Sequence, residues 1–183
     1  MAGRRDEIVE AAYNLMGTQG LEAVHARTVA SQLEINHATV HYYFPKRDDL
    51  LSGIAGYAAL RMAKDRAAIG EPKDGREGIE NELALAEAYC RSTSRFAKVL
   101  IGLVAASIDS PKVRAPLNTL WTEWTSILAE LTKKAGLRRS SSYNDPEVFA
   151  AQLFGLMAAA HLNEGNLDVE TKLDAIFDSL FKA

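Results

Sequence analysis

Between Asn36 and Arg47 the chain carries Asn36, His37, Thr39, His41, Tyr42, Lys46 and Arg47, and no acidic residue falls among them. Amide, hydroxyl and imidazole groups on a short segment, followed by two cations, suit hydrogen bonding to base edges beside contacts to phosphates. Covalent chemistry has no comparable footing. There is no glycine-rich phosphate loop, no HExxH, no GxSxG and no spaced Cys/His cluster, which leaves an enzyme as the third and weakest reading, with no cofactor or metal expected. The single cysteine, Cys90, leaves no disulfide framework and fits a reducing compartment.

These side chains need elements to position them. The stretch from Thr28 to Leu50, TVASQLEINHATVHYYFPKRDDL, reads as two short helices joined by a tight turn. Thr28 is expected to cap the first, with Val29, Ala30 and Leu33 inward and Ser31, Gln32 and Glu34 outward. Asn36 is expected to cap the second, with Val40 and Phe44 toward the core. That leaves Asn36, His37, Thr39, His41 and Tyr42 outward, a donor-rich face for a major groove. Pro45 should end this helix, and Lys46 and Arg47 then open the next, where its positive N-terminal end would add to a phosphate clamp. Thr28, Tyr42, Lys46 and Arg47 are thus assigned to phosphates, Asn36, His37 and Thr39 to base edges, and His41 to either.

The rest of the chain is expected to be helical. Ile8, Ala11, Ala12 and Leu15 recur at helical spacing between Arg4 and about Gly17, bracing the reader. A longer helix from Asp48 to about Ile69 carries Leu50, Leu51, Ile54, Tyr57, Ala58 and Met62, and ends at GEPKDGREG, the best candidate boundary. Further helices are expected at about 77–92, 94–107, 113–135, 146–163 and 169–181, with breaks at DSPK, GLRRSSSYNDP and NEGNLD. No stretch alternates long enough for a sheet. The organisation expected is therefore all-α: an N-terminal helix-turn-helix DNA-binding unit at 1–47, a connecting helix at 48–70, and a helical bundle at 71–183, for which the resemblance described below implies effector binding and dimerisation. The formal net charge of −3 excludes a generic polyanion binder, so any basic surface is local. No signal peptide is expected, and the longest apolar run, Val99 to Ile108, is about half a membrane span, so a cytoplasmic protein without a membrane partner is expected.

In the second unit, Trp121 and Trp124 lie three apart on one helix face that Leu128 continues, and Phe96, Leu100 and Leu103 supply a possible opposite wall. They either enclose an aromatic or hydrophobic effector or form core. Met157 and His161, with Tyr89 and Cys90, are candidate soft or polar groups in such a cavity. Phe149, Leu153, Met157 and Ala160 form one stripe on the last two helices, and Leu173, Ile176, Phe177 and Leu180 form another. Both are assigned to a four-helix dimer interface, the alternative being that they close the monomer core.

The reader resembles the TetR family of transcriptional regulators. The resemblance rests on Gly20 and Thr28 ahead of the reader, on Thr39 to Phe44, which fit the family's T-[LV]-Y-x-[HY]-F apart from His41 in place of its first tyrosine, and on Arg47 with Leu50. The family's usual glycine at the inter-helix turn is Glu34 here, so either that turn has another geometry or Glu34 takes a left-handed conformation. The resemblance implies a homodimer on a palindromic operator, acting as a repressor that a small molecule releases. The alternative is a DNA-binding dimer without an effector, whose second unit only dimerises or binds a protein.

Overall fold

The computed structural model describes residues 3–137, 145–163 and 166–181, and among these it contains nine α-helices, one 3-10 turn and no strand. Helix α1, Arg4–Gln19, buries Ile8, Ala12, Leu15 and Met16 on one face and ends where Gly20 at φ 87° returns its N–H to the Met16 carbonyl. A 3-10 turn, Leu21–Ala23, leads to α2, Ala26–Gln32, and α3, His37–Tyr43. Then follow α4, Arg47–Ile69; α5, Gly75–Cys90; α6, Arg95–Ser107; α7, Pro111–Lys134; α8, Pro146–Leu162; and α9, Val169–Phe181. Asp74 and Asp145 cap α5 and α8 by accepting from the backbone N–H groups of Glu77 and of Glu147 and Val148. Of the expected breaks, residues 138–144 and 164–165 lie outside the described residues.

Two local expectations are corrected. Thr28 does not cap α2: the helix starts earlier, at Ala26, because His25 leaves the 3-10 turn extended and becomes the N-cap residue without a side-chain bond. Thr28 thus lies in the first turn of the helix. The last long helix before residue 138 starts at Pro111 rather than at Val113, and it carries Pro116 internally.

The chain forms two compact units. One comprises the residues up to Met62 together with Arg95–Leu120; the other comprises Ala63–Ser94 and the chain from Trp121 onward. Arg95–Leu120 thus groups with the N-terminal helices, beside the expected division into 1–47, 48–70 and 71–183. In the first unit α6 lies against α1, and a Cβ placed on Gly17 would come within 2.6 Å of the Arg95 Cβ, so glycine permits the close crossing. The start of α4 is tied to the start of α7: Ser110 donates to the Asp48 carboxylate at 2.7 Å, and Lys112 pairs with Asp49. In the second unit α5 packs against α8 and α9.

Candidate nucleic-acid interface and effector cavity

The reader is built on a small core in which Val29 and Val40 are 0 % exposed and Ala30 and Phe44 nearly so. Ala30 also accepts the Ile35 N–H at 3.0 Å, and this close turn holds Glu34 at φ 54°, the left-handed conformation. With Val40 and Phe44 inward, α3 presents Asn36, His37, His41 and Tyr42 to solvent, while Thr39 is half-buried. Asn36 spends its side-chain oxygen on the Ala38 N–H at 2.9 Å, a cap as expected. Its amide N–H2 group is left for a partner. The His37 and His41 rings stand edge to face with centroids 6.1 Å apart, and Tyr42 is 80 % exposed.

Beside α3 lies a concavity of about 440 Å³ bordered by His25, Arg27, Thr28, His41, Lys46 and Arg47. Its lining contains no acidic residue, so it is shaped and charged for an anion such as a backbone phosphate. His25 and Arg27 were not among the expected contacts, although an arginine beside Thr28 was legible as a cation near the reader. Arg47 has a second role. Its guanidinium donates to the carbonyls of Leu21 at 2.7 Å and Val24 at 3.2 Å, and so braces the 3-10 turn. Lys46 is exposed, with its backbone N–H on the Asp49 carboxylate at 2.9 Å. The same contact, after the side chain of Lys112, holds the Asp49 carboxyl below its ordinary pKa and keeps it charged at the head of α4.

The expected effector residues are divided. Phe96, Leu100 and Leu103 lie in the first unit, and Trp121, Trp124, Leu128, Met157 and His161 in the second. Phe96, Leu100, Leu103, Trp124, Leu128 and Met157 are all buried, and none of the eight borders the second unit's cavity of about 720 Å³. That cavity is formed by the end of α4 with α5 and α7, and its lining includes Arg66, Asn81, Glu82, Ile127, Glu130 and Leu131. Glu82 is 3 % exposed. Arg66 donates to both its oxygens, through Nε and, at 3.0 Å, through Nη2, while the indole N–H of Trp124 donates to Oε2 at 3.1 Å. Burial works against the Arg66 charge, but the hydrogen bond and charge of Glu82 outweigh it and hold the guanidinium pKa above its ordinary value. The signal for this site was an acid, Glu82, within the apolar stripe Ile79, Leu83 and Ala86 of α5. His161 keeps to its own helix, its Nδ1 2.9 Å from the Met157 carbonyl.

Most residues of the expected dimer stripes lie inward within one chain. Phe149, Leu153, Met157, Ala160, Leu173 and Leu180 are each no more than 6 % exposed in a single chain, because α8 and α9 turn them toward their own unit. A side chain without exposed surface has none to give a partner. Ile176 and Phe177 are half-buried, and Arg76 covers the Phe177 ring at 4.9 Å. Ile176 also borders an open groove between α8 and α9 with Gln152, Gly155, Ala159 and Ala175. Among the described residues no group of three or more potential ligands could hold a metal, and no helix is long and apolar enough to cross a membrane.

Residues 8–54 match the family model described as bacterial regulatory proteins, tetR family. No curated protein matches the sequence. Among solved structures the chain is similar to a candidate TetR-family transcriptional regulator from Rhodococcus sp., at 20 % identity over 98 % of this chain and 97 % of that one, with a TM-score of 0.77. It is similar to a candidate transcriptional regulator from Saccharomonospora viridis in complex with choline, at 23 % identity over 95 % and 93 % of the two chains and a TM-score of 0.75. A further likeness is to the multidrug binding protein EbrR complexed with imidazole, at 18 % identity over 97 % and 89 % and a TM-score of 0.70. Residues 8–54, which include α3 and its flanking concavity, are thus similar to bacterial regulatory proteins of the tetR family, and the chain shares the all-α fold of these solved transcriptional regulators.

Proposed function

We propose that the chain is a sequence-specific repressor that binds a palindromic operator as a homodimer and is released by a small molecule held in the second unit. The observation that carries the DNA half is the exposed donor face of α3 beside an acid-free concavity. His37 and Thr39 read base edges, Tyr42, Lys46 and Arg27 hold phosphates, and Thr28 and Arg47 contribute to the same phosphate pocket. The cavity of about 720 Å³ favours an effector over a second unit that only dimerises. The choline and imidazole complexes of the similar structures support a small-molecule site of this kind.

Dimerisation falls to the outward faces of α8 and α9, around the groove that Gln152, Gly155, Ala159 and Ile176 line. Coupling runs through α4, which gives Arg47–Met62 to the first unit and Ala63–Ile69 to the second. An effector acts by favouring a position of α4 in which two readers no longer match successive major-groove faces. Selection of random duplex DNA by the purified protein at one fixed salt concentration tests the reading. A palindromic consensus is expected, and retention without a consensus would contradict it.

A further inference from the structure

The cavity of the second unit has a charged floor. Glu82 is 3 % exposed and still borders that space, where Arg66 pairs with its carboxylate and Trp124 donates to it. The two ends of the ion pair are unequal. Glu82 is fixed in the middle of α5 by the indole N–H, whereas the Arg66 side chain is 24 % exposed and reaches the acid from the last turn of α4. Arg66 is the partner that can leave, since water is open to it once it swings out. The charged residues bordering the cavity are Glu71, Glu82 and Glu130 against Arg66 and Lys134, so acids outnumber bases.

We propose that the cavity takes a flat organic cation with N–H donors, an amidinium or guanidinium carried on an apolar body, and that this cation replaces Arg66 on Glu82. The proposal rests on the effector reading above and names the ligand's chemical class. A buried carboxylate can exchange one cation for another but is strongly disfavoured alone, so a neutral or anionic ligand that displaced Arg66 would strand it. Arg66 now uses two parallel donors on the two carboxylate oxygens, and a planar two-donor cation reproduces that fork where a single ammonium does not. Ala67, Ile127 and Leu131 supply apolar wall for the rest of the ligand. The exchange also frees α4. Arg66 is the ion-pair link from α4 to Glu82 of α5 and, through that carboxylate, to Trp124 of α7. A ligand that binds only when this link is open favours the open state by its own binding free energy, which is what an effector must do.

Three probes of one shape and different charge test the proposal: benzamidinium, benzamide and benzoate, titrated by calorimetry into the intact protein at fixed salt. Benzamidinium is expected to bind at least about tenfold more tightly than either of the others. Glu82→Gln should erase that preference. Arg66→Met should strengthen benzamidinium binding, because the internal competitor is gone; if that variant melts below the assay temperature, Arg66→Lys, which keeps a charge without the fork, carries the same expectation. Benzamide or benzoate binding as tightly as benzamidinium, or a preference that survives Glu82→Gln, would overturn the cation while leaving the cavity as an effector site. Absence of binding by all three up to about 10 mM would reject the effector site together with the proposal.

Discussion

Lys46 and Arg47 are neighbours in sequence with opposite expectations. Arg47 holds the carbonyls of Leu21 and Val24, so Arg47→Ala should lower the stability of the first unit by about 1–2 kcal/mol, read as a lower Tm. Lys46 gives only its backbone N–H to Asp49, and Lys46→Ala should leave Tm unchanged. That variant should instead weaken binding to every DNA sequence and reduce the salt slope by about 1. His37→Ala and Thr39→Ala should change the ratio of specific to random binding, by about 1–3 kcal/mol for each lost base contact. Equal losses on both DNAs would remove the base-reading role. Cys90 offers an independent check on the second unit. Burial first, then the charge of Glu87, pushes its thiol from 9.0 up to about 11. Between those values the folded protein keeps a proton that the unfolded chain has lost, so this group's contribution to stability falls as pH rises from about 9 to about 11. Below that window the thiol should resist alkylation until the protein unfolds; rapid labelling of the native protein at pH 8 would contradict its burial.

Close helix crossing is decided by single residues. A Cβ on Gly17 would meet the Arg95 Cβ at 2.6 Å and its Cα at 3.2 Å, neither of which can move without shifting α6. Gly17→Ala should therefore cost about 1–3 kcal/mol in a denaturant titration. Gly102→Ala should cost less, since the atom it meets is the flexible end of Met16, at 2.7 Å. An equal effect of the two would show that α1 and α6 do not cross as described. The helices themselves were largely legible because caps and breakers are local: Asn36 caps α3, and the segment around Gly70 and Pro72 separates α4 from α5. What covers a helix was not. The apolar stripes of α8 and α9 read as a partner face, yet α5 is their cover, because periodicity marks a buried face without naming the element that buries it. Thr28 is not the cap for a related reason: the 3-10 turn before α2 leaves no periodic trace, so the sequence pattern places the start of the helix three residues late.

At the scale of the molecule, the formal net charge of −3 means that affinity for DNA must come from a restricted surface. The acid-free concavity beside α3 supplies one, and a dimer would present two. The donor face of α3 was readable from residue types alone, while the cavity of the second unit was not. Its lining residues Arg66, Glu82 and Ile127 come from helices α4, α5 and α7, far apart in sequence, and only packing brings them together. Of the residues between Trp121 and Leu128 that could be wall or core, Trp124 and Leu128 are buried, and Trp124 also gives its indole N–H to the cavity's carboxylate. The central claim is that α3 reads sequence rather than charge. Its most direct test is the affinity of the intact protein for a duplex carrying the selected site and for a scrambled duplex of equal length, measured at one fixed salt concentration near the physiological value. Discrimination of about a thousandfold or more is expected. Equal affinity for the two duplexes would contradict the claim.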